Sequence, residues 1–580
     1  MKKIFLLAAA TLAMGITSCD IDDVENITEL SQSTFPATEE DAAAVLAGIY
    51  QNLNETHANP QCSYLYLACL ASDDQLGGGG TNDKLMQAED LMLNNGTDMT
   101  NQFYNDRYKG VSRANVLINV LDDPQTPVQK QAKGEALALR AFYYYELASM
   151  YGNVPLVRSA EEADAVQGDV KVLWGQILQD YRDAIELMDE TPRHDGHLDR
   201  YAVEALLGRA WLFYTGMYGN GEDIAALTST TYNPLTEVTL NDETKMTKAD
   251  VIAYINEAAS VKDKPGYYSL VTDFRSLWAY SNEKTKKDYA YAAGAAWVED
   301  NAGVNPESMF AIKFNKQASW STTIGYANGI ALHFGARGGQ DYGHTFPFGQ
   351  GWGAGPVAAN LVADWKASEP EDLRRDATIH DWAESPLYEY NDDYVQATQF
   401  YNKKWSPVTS KKDDGTYFCT FENDMYPGMW ETSGVENFQL GNIHDLILVR
   451  FSDVLLMKAE LNDDAAPLNE VRARAGLAPV GYSLAALQNE RRWEFACEGL
   501  RWNDMRRWHI AATALEKQTD TDVVYCGIPS TNKKQGPGYK ARYEATAGFA
   551  KMPETQIENG TVKQNPGWDD NNSNYGGWAE

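Results

Sequence analysis

Gly134-Glu135-Ala136-Leu137-Ala138-Leu139-Arg140-Ala141-Phe142-Tyr143-Tyr144, running on to Tyr151-Gly152-Asn153-Val154-Pro155-Leu156-Val157, is the stretch on which the fold turns. Across residues 128 to 151 the apolar side chains keep a 3.6-residue period, which predicts one long helix, and Gly152 stands at a natural C′ position. Upstream, Thr38-Glu39-Glu40-Asp41 supplies an N-cap and an acidic first turn, and Ala44, Leu46, Ile49, Tyr50 and Leu53 supply a buried side. Residues 101 to 121 carry a second pattern (Phe103, Tyr104, Tyr108, Val111, Val116, Leu117, Val120), stopped by Asp122-Asp123-Pro124. Downstream, 170 to 189 and 201 to 218 repeat the theme. Amphipathic helices of about 20 residues on short loops predict stacked helical hairpins. The tetratricopeptide consensus itself is not legible.

From about 265 to 445 helical periodicity fades while glycines, aromatics and prolines increase, so this region is expected to be irregular, with a hairpin tip at Lys412-Asp413-Asp414-Gly415-Thr416. Helical pattern returns at 446 to 475, broken near Asp463 to Pro467, and at 483 to 515; the tail after 520 is loop-like. The chain therefore divides into a leader (1–18), an N-terminal helical part (19–264), an irregular aromatic-rich region (265–445) and a C-terminal helical part with tail (446–580).

The leader has a positive start (Lys2, Lys3), an apolar core from Ile4 to Ile16 and a small-residue cleavage site at Thr17-Ser18-Cys19. Ile16-Thr17-Ser18-Cys19 resembles a loose bacterial lipobox, which makes Cys19 the acylated first residue of the mature chain. Asp20, Asp22 and Asp23 resemble the acidic signal that sends such lipoproteins to the cell exterior. No later segment reaches the 18 or so apolar residues a membrane span needs. A formal charge of −33, with 82 acids against 49 bases, argues against a nucleic-acid partner. Five cysteines follow Cys19. Cys62 and Cys69 would sit about 10 Å apart on one helix, beyond disulfide reach, so buried thiols are expected.

Five segments, in order, resemble the SusD/RagB family. The opening stretch is similar to its "E-A-x-x-L-R-A-x-x-Y-x-x-L…Y-G-x-V-P-L" helix and exit turn. Glu490-Arg491-Arg492-Trp493-Glu494-Phe495-Ala496-Cys497-Glu498-Gly499-Leu500-Arg501-Trp502-Asn503-Asp504-Met505-Arg506-Arg507-Trp508 is similar to "E-R-R-x-E-L-x-x-E-G-x-R-x-x-D-L-x-R-W". Arg450 to Glu460, Asn469 to Leu477, and Met552-Pro553-Glu554 with Gln564-Asn565-Pro566-Gly567-Trp568 complete the set. Cys497 departs from the pattern, and the Leu461 to Asn469 connection is short. The resemblance implies a mainly α protein: four tetratricopeptide-like helix pairs in an α-α superhelical scaffold with a large irregular insertion. It implies no catalysis and no cofactor. It also implies a lipid-anchored place on the outer membrane, facing the cell exterior, over a SusC-like TonB-dependent barrel to which a glycan is delivered.

Glycan capture needs flat apolar faces for the C–H sides of sugar rings, with amides, carboxylates or arginines for the hydroxyls. The irregular region offers Trp278, Trp297, Trp320, Tyr326, Trp352 and Trp430 near Asn328, Arg337, Gln340, Asp341 and Asn423, and at least two of these aromatics should be exposed. The resemblance adds Asp73, Asp74 and Asn82 from the loop after the second helix. Charges within 490 to 508 are read as ion pairs along and between helices, and Trp493 and Trp502 as core. His194-Asp195-Gly196-His197 is read as a loop, not a metal site. Gly77 to Gly80 is read as a flexible surface loop. Gly349 to Gly355 lacks the βαβ frame of a dinucleotide site. The competing functions are peptide capture in the RagB manner and a glycoside hydrolase, which needs two carboxylates about 5 to 10 Å apart across a cleft.

Overall fold

The computed structural model describes residues 35–58, 63–78, 100–162, 165–314, 327–337, 345–384, 397–411, 413–418, 442–525, 528–532 and 538–568. The helices start and stop where local chemistry directs. Thr126 and Gln129 form a reciprocal capping box in front of Pro127–Tyr151, with Pro127 in the first turn, where a missing N–H costs nothing. Gly152 closes it at φ 78°, its N–H donating to the Ala148 carbonyl. Thr38 and Asp41 cap Glu39–Ala58 in the same way. Asp169 and Asp199 cap Val170–Leu187 and Arg200–Met217.

Four contacting helix pairs follow among the described residues: Glu39–Ala58 with Asn101–Val120, Pro127–Tyr151 with Val170–Leu187, Arg200–Met217 with Lys248–Ser260, and Phe451–Asn462 with Ala465–Arg474. Each pair packs on the next, so the fourth stacks directly on the third although almost 200 residues separate them in sequence. The irregular segment loops out and returns. This is the mainly α, tetratricopeptide-like scaffold anticipated from the sequence. The short Leu461 to Asn469 connection turns on Asp463 in the left-handed region (φ 52°), after which Asp464 caps the next helix.

Two expectations need correcting. Residues 446–450 are a strand, not the start of a helix: Leu446–Arg450 pairs antiparallel with Ser308–Ile312. The pattern over 483 to 515 is three helices, Leu484–Glu494, Leu500–Arg507 and Ala511–Glu516, because Cys497 (φ 66°) and Gly499 (φ 76°) break the first from the second. The hairpin near Gly415 forms as expected, Ser410 opposite Phe418. All sheets among the described residues are two-stranded ladders. Cys69 and Cys497 are buried and in no disulfide; Cys62 lies outside the described residues.

The motif charges form ion pairs along a helix, as Arg507 with Asp504 at 2.8 Å, and between elements far apart in sequence. Arg140 forks onto both Asp180 oxygens at 2.7 Å and reaches Asn115 at 2.8 Å. Glu494 is gripped by Arg374 at 2.9 Å, Arg450 at 2.8 Å and Arg474, all in the interior. Burial pushes its carboxyl up, and the three guanidiniums more than offset that, holding it well below the usual carboxylate range. Arg450 also binds Glu307 at 2.5 Å and Glu498 at 2.9 Å, tying the strand ladder to the Leu484–Glu494 helix. Arg506 meets no carboxylate among the described residues; it donates to the Ser149 and Ala547 carbonyls.

Removing one partner from such a lattice strands the remaining buried charges. Arg450→Met is therefore expected to cost roughly 3–5 kcal/mol in guanidinium unfolding; a loss below about 1 kcal/mol would mean that the lattice contributes little net stability.

Candidate functional site

The two glycine-rich stretches flagged in the sequence meet. Residues 74–78 run against 354–358: Leu76 N–H donates to Pro356 O (2.9 Å), Ala358 N–H to Asp74 O (2.9 Å) and Gly355 N–H to Gly77 O (3.1 Å). Gly77 and Gly78 are accordingly buried, not part of a flexible surface loop. Beside this seam, Trp352 N–H donates to Leu332 O (2.9 Å), Gly353 N–H to Gly335 O (2.8 Å) and Gly351 N–H to Ala336 O (2.9 Å). Glycine is required here by contact: a Cβ on Gly351 would lie 2.4 Å from the Gly335 Cα, and one on Gly78 (φ +65°) only 2.3 Å from the Gly353 carbonyl oxygen.

Trp352 emerges from this backbone half-buried, as does Arg337, whose Nε donates to the Trp352 carbonyl at 2.7 Å. Behind the indole stands a file of rings: His333 (4.4 Å between centroids), then Tyr66 (5.5 Å), Phe334 (5.3 Å) and Trp405 (6.0 Å, stacked). Their packing fixes the orientation of Trp352, the condition for a flat ring to act as a preformed platform. Burial holds His333 neutral, its imidazolium form displaced down to about 3. The His333, Tyr66 and Trp405 support was not recognised in the sequence. The one sign was alternation, Gly351-x-Gly353-x-Gly355, which marks close backbone approach.

Asp73 and Asp74 belong to the seam but do not face a ligand. Each is 1% exposed. Arg501 forks onto Asp73 at 2.7 and 3.0 Å, while Arg492 contacts Asp73 at 3.1 Å, Asp74 at 2.9 Å and Asp364 at 2.9 Å. Burial raises both acids; for Asp73 the two arginines win and its carboxyl drops below the usual range, whereas Asp74, facing Asp73 as well, ends up raised. Two adjacent carboxylates split in this way resemble an acid–base pair, but enclosure and ion pairing make them a joint between the seam and the Leu484–Glu494 and Leu500–Arg507 helices.

Trp278 and Trp297, 3% and 4% exposed, are core residues, which corrects their place among the ligand candidates. Trp278 packs under the Lys404 ammonium, 5.2 Å from its centroid, and near Arg450. Asn328 is also buried, capping Gly329–Phe334. Asn82, Trp320, Tyr326, Trp430, Gln340, Asp341, Asn423 and the lipidation candidate Cys19 lie outside the described residues. Of the sequence candidates, the structure brings together Asp73, Asp74, Arg337 and Trp352. His194 and His197 occupy a loop as expected; His197 Nδ1 meets Glu135 at 2.7 Å.

Two family models match the chain: one described as starch-binding, associating with the outer membrane, over residues 24–212, and the SusD family over residues 306–568. SusD-like protein P2 of Formosa agariphila is 23% identical over 563 residues, covering 90% of this chain and 95% of its own. A solved laminarin-binding SusD-like protein is similar in fold, with a TM-score of 0.66, 24% identity and coverage of 91% and 99%. So is surface glycan-binding protein A from Bacteroides thetaiotaomicron in complex with laminarihexaose, at TM-score 0.62, 20% identity and coverage of 91% and 99%.

His333 makes the seam sensitive to acid. A histidine held at about 3 when folded and near 6.5 when unfolded stabilises fully above 6.5. Below that value the unfolded chain gains a proton that the folded chain refuses, and the contribution is lost as pH falls toward 3. The stability difference between wild type and His333→Gln should therefore shrink by about 1.4 kcal/mol per unit as pH is lowered from about 6 to about 4. Parallel pH curves in urea titrations would contradict this.

Proposed function

The chain belongs to the SusD/RagB family, and from that membership we propose that it is a non-catalytic receptor that holds a glycan at the cell surface and delivers it to a SusC-like TonB-dependent barrel. The observation that carries the reading is Trp352, half-buried and backed by fixed rings, with the Arg337 guanidinium bonded beside it. An aromatic face for sugar C–H groups and a planar donor fork for hydroxyls are what oligosaccharide capture requires. The relatives whose descriptions name laminarin or laminarihexaose support a glycan ligand. Asn82, Trp320, Tyr326 and Trp430 remain the proposed further contributors.

The non-catalytic reading is supported by the family and by the fate of Asp73 and Asp74, whose charges are engaged internally. Acylation of Cys19 is the proposed anchor. No helix among the described residues is long and apolar enough to cross a membrane.

Affinity gels carrying algal, plant and host polysaccharides, followed by calorimetry on oligosaccharides of the retained polymer, test the site. Trp352→Ala and Arg337→Met should each weaken binding at least about tenfold with unfolding midpoints preserved. Unchanged affinity in both removes the seam from the site, and release of reducing sugar ends the non-catalytic reading. Cys19→Ser should abolish metabolic labelling by palmitate and detach the protein from the outer-membrane fraction.

A further inference from the structure

A cleft of about 290 Å³ opens between the loop that joins Val170–Leu187 to Arg200–Met217 and the end of the Ser308–Ile312 strand, and it shares no residue with the Trp352 seam. Its walls include Arg193, His194, Glu299, Lys313 and Asp445, with Val304 exposed at the rim. The loop is built into the fold: Arg193 N–H donates to Asp199 (2.7 Å), and the Tyr268 hydroxyl contacts both the Arg193 carbonyl (3.0 Å) and Asp199. Gly196, at φ +100°, lies against the Lys313 stem.

Besides Asn305 Nδ2, two buried polar atoms of the cleft residues have no partner among the described residues, Arg193 Nε and His194 Nδ1. They are of opposite kinds. Arg193 Nε–H can only donate. His194 Nε2 sits 3.2 Å from the Gly266 carbonyl and so carries the proton in the neutral ring, leaving Nδ1 as an acceptor. Buried groups of this kind are normally satisfied, and an unpaired pair around an open cleft calls for an occupant that both donates and accepts. Opposite them, Lys313 Nζ is held by Asp445 at 2.5 Å. Burial, with Asp445 beside it, pushes the Glu299 carboxyl up to about 8, so it also donates and accepts at neutral pH. Arg193 is set against Glu39 (3.9 Å), Lys313 against Asp445 and His197 against Glu135, so the walls lack the surplus positive charge that an anion would need.

We propose that this cleft is a second binding site, separate from the seam, for one neutral sugar ring or similar polyol, whose hydroxyls satisfy Arg193 Nε and His194 Nδ1. The inference rests on the cleft alone and stands or falls independently of glycan binding at Trp352.

Saturation-transfer NMR on the Trp352→Ala protein, in which the seam contributes no signal, with methyl glucoside, methyl galactoside, N-acetylglucosamine and glucuronate as separate probes, tests it. At least one neutral sugar should show transfer. Its affinity should fall about tenfold when Arg193→Leu is added, as expected for losing a charged donor, and vanish when Val304→Trp is added, which covers the exposed rim. Transfer to no neutral sugar, transfer to glucuronate alone, or signals that persist in both cleft variants would each overturn the proposal.

Discussion

Everything else in this structure hangs on burying carboxylates and guanidiniums together, each against a partner of opposite charge. Glu494 lies inside the protein with Arg374, Arg450 and Arg474 around it, and those arginines reach on to Asp372, Glu490, Glu307 and Glu498. Removing ions from water costs several kcal/mol each, and close pairing with complete hydrogen bonding is what offsets that cost. The reward is geometric. Each guanidinium joins elements far apart in sequence, so the irregular region is riveted to the helical stack instead of merely resting on it. Arg492 and Arg501 extend the lattice to Asp73 and Asp74 and thereby set the height of the seam that carries Trp352.

The stack itself was legible because its determinants are local. Caps, Gly152 and the 3.6-residue period gave the start of Glu39–Ala58 and both limits of Asn101–Val120, Pro127–Tyr151, Val170–Leu187 and Arg200–Met217 within about two residues. Leu446–Arg450 was misread because a short apolar run does not distinguish strand from helix, and its partner strand begins at Ser308, far upstream. The site was less legible. Asp73 and Asp74 look like surface acids until Arg492, 418 residues beyond Asp74, closes over them. Trp278 and Trp297 share their neighbourhood's composition with Trp352, yet only Trp352 escapes enclosure, a difference set by the fold of the whole irregular region and not by flanking residues.

The two proposed sites, the Trp352 seam and the Arg193 cleft, would prepare a surface for a ligand in two different ways. At the seam, order comes from packing: rings behind a ring, main chain against main chain. At the cleft, order comes from a loop fixed through Asp199 and Tyr268 that leaves a donor and an acceptor unspent. The first favours extended contact with a chain of sugar rings, the second a single polar guest.

The contact between Gly335 and Gly351 has a consequence beyond stiffness. Two main chains that touch leave no room for any side chain, so a residue larger than glycine at either position must push the two strands of backbone apart. If the seam holds a ligand as proposed, such a replacement would cost the chain its fold before it altered what the surface selects.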